Sequence, residues 1–323
     1  MQDQFGRTID YLRISVTDRC NLRCQYCMPA QGVPFVPHAE ILQYEEILRL
    51  MPAFRALGFR KVKLTGGEPL LRSGLQTLVA GLYQAGFEQV TLTTNGILLP
   101  QTLPALRAAG LSAVNISVDT LDRAQFAAIT RRDLLDQVLD GIDAALQTPD
   151  LTVKLNCVPI VQDPENLVRL ALLAKDHPLH VRFIEMMPIG AGKDCQSYDE
   201  AEILRILTAR FGPAEPVGGV LGSGPAHYYE LTGFQGRIGF ISAVSHQFCG
   251  ACNRIRLTSE GFLKTCLQYG AGVDLKALLR SGASDERIRE TIAQAIWEKP
   301  GAHHFLQTEQ PSDEHRWMSG IGG

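Results

Sequence analysis

Six of the eight cysteines fall into two trios, Cys20-x3-Cys24-x2-Cys27 and Cys249-x2-Cys252-x13-Cys266, with Cys157 and Cys195 standing apart. Three thiols make an incomplete set. A closed structural zinc site takes four protein ligands, whereas three leave a coordination position open. In an iron–sulfur cube, a three-cysteine site leaves one iron free for a small molecule. Two trios therefore predict two open metal sites holding two different small molecules. Zinc is the competing occupant, because Cys-x2-Cys pairs are common in zinc knuckles. It would need a fourth ligand; His246 is the nearest candidate for the second trio, and the first has no histidine closer than His38.

Disulfides are the other use of eight cysteines, but residues 1–8 are polar, without an apolar signal segment, and no later stretch is long enough to span a bilayer. The expectation is a cytoplasmic chain whose thiols stay reduced and bind metal. Hydrophobic residues make up 45% and charged residues 20%, the balance of an ordinary globular enzyme, and 323 residues can bury a large core. Net charge is −3, so the whole-molecule field argues against nucleic acid as a partner. Any anionic ligand must be held by locally placed Arg and Lys.

The elements that would position these residues repeat with a period of roughly 25 to 35 residues. Strand-like runs rich in Val, Ile, Leu and Thr lie at 11–16, 61–64, 90–94, 113–118, 151–159 and 180–186. Helical patterns lie between them at 41–57, 75–84, 103–109, 134–147 and 165–175. Gly58, Gly86 and Gly110 follow helices where left-handed caps are wanted, and Pro52 inside the first helical pattern predicts a kink or restart. Serial β-α units predict an α/β fold, an incomplete (β/α)6 TIM-type barrel with right-handed crossovers; a doubly wound sheet is the alternative. Gly and Pro cluster at 212–225, which predicts a boundary between a 1–215 barrel and a smaller α+β region at 216–323. That region has short runs at 228–231, 237–242 and 254–258, helical patterns at 275–280 and 286–298, and a Gly-rich tail with no core-forming pattern.

In parallel β/α folds ligands sit at the C-terminal ends of the strands. The first trio directly follows strand one. Later strands run into Thr65-Gly66-Gly67-Glu68-Pro69, Thr93-Thr94-Asn95-Gly96, Ser117-Val118-Asp119 and Glu185-Met186-Met187, and the fifth carries Lys154 and Asn156. This convergence predicts a single active site on one rim. Gly66-Gly67 is turn punctuation that also lets a ligand meet the backbone directly. The chain has no P-loop, no Gly-x-Gly-x-x-Gly and no His-Glu-x-x-His, which removes the usual supports of phosphoryl transfer, nicotinamide chemistry and zincin proteolysis. Cys157 reads as a small buried hydrophobe within a strand, Cys195 lies in a loop, and His303 and His304 have no motif around them.

The first trio, with Tyr26 before its last cysteine, resembles the cluster motif of the radical S-adenosylmethionine (SAM) superfamily, and Gly66-Gly67-Glu68-Pro69 resembles its GGEP motif. Cys249-x2-Cys252-Asn253-Arg254-Ile255-Arg256 with Cys266 narrows the resemblance to the branch that cyclises GTP in the first step of molybdenum cofactor biosynthesis, over essentially the whole length. The resemblance implies a lyase with two 4Fe–4S clusters, the first binding SAM and the second the guanine of GTP. It implies a 5′-deoxyadenosyl radical that takes hydrogen from C3′, after which the sugar radical attacks C8 of guanine. Cys20, Cys24 and Cys27 would be catalytic, as would Gly322 and Gly323 in a tail that inserts into the site. Tyr26, Gly67, Ser117 and Met187 match SAM contacts; Arg13, Lys63, Thr93, Lys154, Arg254 and Arg256 match GTP contacts. Lys63 stands where the family often has Arg, which keeps the charge but loses the bidentate fork. The basic set agrees with physical need, since a triphosphate entering a chain of net charge −3 requires local cations. The implied partners are a flavodoxin- or ferredoxin-like electron donor, cyclic pyranopterin monophosphate synthase as recipient of the product, and a second copy in a homodimer. The competing readings are a peptide-modifying radical SAM enzyme with an auxiliary cluster and a non-catalytic zinc-binding module.

Overall fold

Polar and apolar residues alternate along the central strands, and this alternation builds the molecule. The structure, a computed structural model, describes every residue except 162, 220, 308, 309, 311, 312 and 323. Strands β1 (Tyr11–Ser15), β2 (Lys61–Thr65), β3 (Gln89–Thr94), β4 (Ala113–Ser117), β5 (Thr152–Cys157) and β6 (His180–Ile184) run parallel in that order. Leu12, Ile14, Val62, Leu64, Leu92, Ile116, Leu155 and Phe183 are buried in one core, while Arg13, Lys63, Thr91, Thr93, Asn115, Lys154, Asn156 and Arg182 occupy the alternate positions. TIM-type barrels normally fill their interior with apolar layers. Here the interior face is polar and encloses a chamber.

Helices α1 (Tyr44–Ala56), α2 (Leu75–Gln84), α3 (Leu99–Ala108), α4 (Arg123–Thr130), α5 (Leu135–Leu146), α6 (Pro164–Asp176) and α7 (Glu200–Phe211) connect the strands and supply the other half of the core. Two of them begin in reciprocal capping boxes, Gln43 with Glu46 on α1 and Asp199 with Glu202 on α7. α1 runs through Pro52 as one helix instead of restarting, because Leu50, Met51, Ala53 and Phe54 are buried around the missing donor. α3 starts earlier than its apolar pattern, with Pro100 fitting the first turn. α4 and α7 lie outside the sequence-predicted helices. α4 is a short insertion capped by Asp122, whose side chain accepts from the Gln125 N–H.

The strand order separates the two topologies left open by periodicity. A doubly wound sheet reverses its order at a switch point, whereas β1 to β6 follow one another without reversal. The rest of the chain adds β7 (Ala214–Pro216), β8 (His227–Leu231), β9 (Ile238–Ile241), β10 (Arg254–Leu257), β11 (Phe262–Lys264), β12 (Val273–Asp274), α8 (Leu275–Arg280), α9 (Asp285–Trp297) and α10 (Met318–Ile321). β10 pairs parallel with β1 and β9 pairs parallel with β6. The full order is β12-β11-β10-β1-β2-β3-β4-β5-β6-β9-β8-β7. Among the described residues β7 and β12 do not pair, so the barrel stays open, and the C-terminal segment extends both of its edges. No described helix is long and apolar enough to cross a membrane.

Candidate active site

The rim loops assemble through backbone pairing. The Gly67 N–H donates to the Thr17 carbonyl at 2.8 Å and the Glu68 N–H to the Arg19 carbonyl at 2.7 Å, so the Gly66-Gly67-Glu68 turn lies against the segment entering Cys20. A Cβ on Gly66 would sit 2.6 Å from the Thr17 carbonyl oxygen, and one on Gly67 would run into the Arg19 carbonyl. The paired glycines are thus required by the approach of two loops, in addition to leaving backbone open toward the chamber. Glu68, buried, accepts from the N–H groups of Leu70 at 2.9 Å and Asn95 at 2.7 Å and from the Thr94 hydroxyl at 2.7 Å. Burial drives its carboxyl up to about 7 despite these donors.

Cys20, Cys24 and Cys27 all line a cavity of about 640 Å³. Their thiols are free of disulfides, and the Leu22 N–H points at the Cys20 sulfur at 3.4 Å. Burial pushes the Cys20 thiol up to about 12, and a hydrogen bond with Cys27 together with burial raises Cys24 well above its ordinary value. Without an attached cation these thiols favour the neutral form; an attached cluster reverses that preference. Three unpaired sulfurs on one loop at the edge of a chamber, with a backbone donor on one of them, fit a cluster that keeps one iron open. Among the described residues no group of three or more His, Cys, Asp or Glu side chains could hold a single metal ion.

Tyr26, between the last two cysteines of that loop, donates its hydroxyl to Asp119 at 2.6 Å. Asp119 is buried at the end of β4 and also accepts from the Val158 N–H at 2.9 Å. Burial raises its carboxyl to about 6, against the pull of both donors. Gly67, Ser117 and Met187, from the ends of three different strands, line the same cavity.

The chamber lining is also basic. Among the described lining residues six are cationic: Arg13, Lys63, Lys154, Arg182, Arg254 and Arg256. Register explains their meeting, for Arg256, Arg13 and Lys63 are successive partners across β10, β1 and β2, and Asn156 and Arg182 are partners across β5 and β6. Burial first, then the neighbouring cations Arg182, Arg13, Lys154 and Arg254, hold Lys63 well below its ordinary value. Burial and Arg182 bring Lys154 down to about 8; burial brings Arg13 to about 10 and also depresses Arg256. Such crowding of like charge is costly when the chamber holds no anion, and it is relieved by a polyanion. Thr93 also faces the chamber.

Arg182 was not among the sequence-predicted contacts. It is the lone Arg within an otherwise mostly apolar strand, held by bonds from its Nε and Nη2 to Asn156 Oδ1 at 3.0 and 2.5 Å. Period-two alternation on β6 would have exposed it, since Val181 and Phe183 face the core. Tyr228 was missed as well; its hydroxyl accepts from Lys154 Nζ at 3.3 Å.

Cys249, Cys252 and Cys266 are half-buried free thiols that do not themselves line the chamber, but Cys252 hydrogen-bonds the side chain of the lining residue Arg254. Arg256 interacts electrostatically with Cys252 and Cys266, and Tyr269 with Cys266 and Cys249. Burial raises the Cys252 thiol, but Lys299 and Arg254 outweigh it and bring it down to about 7. A thiol poised for ionisation beside two cations fits a metal ligand. His246 lies elsewhere, bonded to Ser245 and 3.8 Å from Glu200. Cys157 is fully buried, and its sulfur faces the Asp119 carbonyl.

The tail reaches the chamber. Met318 and Ser319 line it, and Ile321 is only 1% exposed. Gly322 has φ +75° and its carbonyl accepts from Arg256 Nη1 at 2.6 Å. A Cβ there would lie 2.8 Å from both Ser15 Cβ and Thr65 Oγ1, so only glycine fits between β1 and β2. Gly323 lies outside the described residues.

The Radical SAM superfamily matches residues 14–177, and the family described as Molybdenum Cofactor Synthesis C matches residues 179–305. The chain is 46% identical to a GTP 3′,8-cyclase of Pelotomaculum thermopropionicum and 47% identical to one of Heliobacterium modesticaldum, each over 100% of both chains. Among solved structures it resembles Streptococcus suis SuiB bound to S-adenosylmethionine, with TM-score 0.60 and 16% identity over 86% of this chain and 66% of that one. It also resembles methylornithine synthase, with TM-score 0.51 and 20% identity over 65% of this chain and 64% of the other. These structural likenesses concern the fold alone.

Proposed function

The chain belongs to the GTP 3′,8-cyclase family of radical SAM enzymes, which carries out the first step of molybdenum cofactor biosynthesis, and from that membership we propose how its residues divide the work. The reaction converts GTP to (8S)-3′,8-cyclo-7,8-dihydroguanosine 5′-triphosphate. The observation that carries the assignment is a six-cation wall facing the same chamber as a three-cysteine loop. When bound at that loop, the 4Fe–4S cluster and SAM supply the radical chemistry that removes hydrogen from C3′ of GTP.

The protein's part is aim, charge and shielding. Cys20, Cys24 and Cys27 would hold the cluster, and Tyr26, Gly67, Ser117 and Met187 would border SAM. Arg13, Lys63, Lys154 and Arg182 would receive the triphosphate, whose several negative charges compensate cations now crowded together. Thr93 would contact the nucleoside, and Arg254 and Arg256 would link it to a second 4Fe–4S cluster on Cys249, Cys252 and Cys266, where guanine would bind the open iron. Gly322 and Gly323 would reach into the site and shield the radical from hydrogen donors such as free thiols. A flavodoxin- or ferredoxin-like reductant in the cytoplasm, product delivery to cyclic pyranopterin monophosphate synthase, and a homodimer complete the proposal.

The test is anaerobic reconstitution with iron and sulfide, then incubation with SAM, dithionite and GTP. About eight irons per chain are expected from two cubes, together with 5′-deoxyadenosine and a cyclised GTP product. 5′-Deoxyadenosine formed without GTP consumption would overturn the substrate assignment. Stoichiometric zinc with no SAM cleavage would overturn the radical chemistry.

A further inference from the structure

We propose that Glu314 is a positioning residue, whose buried pairing with Lys264 sets the register in which the C-terminal tail enters the chamber. The inference rests on the reading that the tail is part of the active site. Lys264 on β11 is the direct cross-strand partner of Arg256 on β10. These two neighbouring cations hold the tail at two points: Lys264 Nζ donates to the Glu314 carboxylate, and Arg256 Nη1 donates to the Gly322 carbonyl at 2.6 Å.

The Glu314 end is over-determined. Its side chain is buried and also accepts from the Arg316 backbone N–H and Nε, each at 2.9 Å. Its backbone N–H donates to the Gln268 carbonyl at 2.5 Å, and Asp313 forms a bridge with Tyr269. Lys264 is fully buried and gives a second bond to the Tyr269 carbonyl at 2.6 Å. A buried ion pair contributes little net stability against a packed apolar pair, so its best-supported use is to specify one arrangement among several. The tail needs such specification. Between Glu314 and Gly322 the side chain of Trp317 is 38% exposed, and Ile321 is the sole buried large apolar side chain of that stretch. A slip of one residue would carry the Gly322 carbonyl away from Arg256, and a slip that brought Ile321 to its place would drive a Cβ into Ser15. Charge on Glu314, matched to Lys264 beside Arg256, makes that slip costly.

The experiment uses the full-length chain with Glu314→Gln, with Glu314→Asp as a milder companion and a truncation lacking residues 322 and 323 as reference. Amide hydrogen exchange of 317–322 in the protein before reconstitution is expected to rise about tenfold or more in Glu314→Gln while β1–β6 amides keep their protection. In the reconstituted enzyme kcat for GTP is expected to fall about tenfold with a smaller change in KM, as for loss of positioning. Should Glu314→Gln fail to fold, Glu314→Asp is expected to show the same effects in smaller measure. Wild-type tail exchange and turnover in the folded variants, with the truncation inactive, would overturn the Glu314 proposal. Full turnover by the truncation would instead overturn the tail reading itself.

Discussion

The Tyr26 hydroxyl donates to the Asp119 carboxylate at 2.6 Å, tying the first cysteine loop to the C-terminal end of β4. A residue assigned from motif to cofactor contact thus also has a structural bond to an acid raised to about 6 by burial. Tyr26→Phe keeps the ring and removes the donor, leaving a buried carboxyl that still accepts from the Val158 N–H. The expected cost is about 1–3 kcal/mol, read as a lower melting temperature of the cluster-free protein. An unchanged melting temperature would mean that the bond does not brace the loop.

Gly67→Ala places a methyl group against the Arg19 carbonyl, backbone that cannot move aside without breaking the pairing of two loops. The variant is expected to incorporate about half the iron of the parent on reconstitution, since the first cluster is lost and the second remains. Gly218→Ala, where an added Cβ meets nothing within 4 Å, is the control and should load normally. Full iron content in Gly67→Ala would refute the close-approach argument.

Lys154 titrates at about 8 because burial and then Arg182 disfavour its charge. A bound triphosphate favours the charged form, so GTP binding near pH 8 and above takes up a proton. The Lys154 contribution to affinity is therefore constant well below that pH and weakens as pH rises through it, by up to about tenfold per unit for one linked proton. Titration calorimetry in two buffers of different ionisation enthalpy reads the proton uptake. Lys154→Arg, charged throughout, should flatten the dependence; an equally steep profile in that variant would assign the effect to another group.

Arg182→Ala removes a cation that the motifs did not mark. GTP affinity should fall about tenfold to a hundredfold, the range for a charge-assisted hydrogen bond. Equilibrium binding of GTP to the folded variant measures it, and wild-type affinity would place the triphosphate elsewhere in the chamber.

Cys266→Ala separates the two trios. SAM cleavage to 5′-deoxyadenosine should persist while GTP cyclisation is lost, and iron content should drop by about half. Complete loss of SAM cleavage in a folded variant would contradict the division of labour between the two sites.

The cysteine spacings and the Gly66-Gly67-Glu68-Pro69 turn are local chemistry. Residue type and separation pointed to open metal sites, and the resemblance these motifs carry implied the class of reaction. The positions of β1 to β6 and of most helices were legible because apolar periodicity is a property of neighbours in sequence, whereas α4, α7 and the short strands β7, β11 and β12 carried too little of it. Composition could not show which strand faces met. Arg256, Arg13 and Lys63 become one basic wall only when β10 inserts beside β1, a pairing between residues far apart in the chain. Arg182 was hidden for that reason, its alternation visible but its destination set by sheet order. The continuity of α1 through Pro52 and the glycine pair's close approach to residues 17–19 were likewise decided by packing. The tail shows the division most plainly. Its glycines gave no core signal, and the fit of Gly322 against Ser15 and Thr65 appears only once Arg256 and Lys264, on two adjacent C-terminal strands, bond the Gly322 carbonyl and the Glu314 carboxylate.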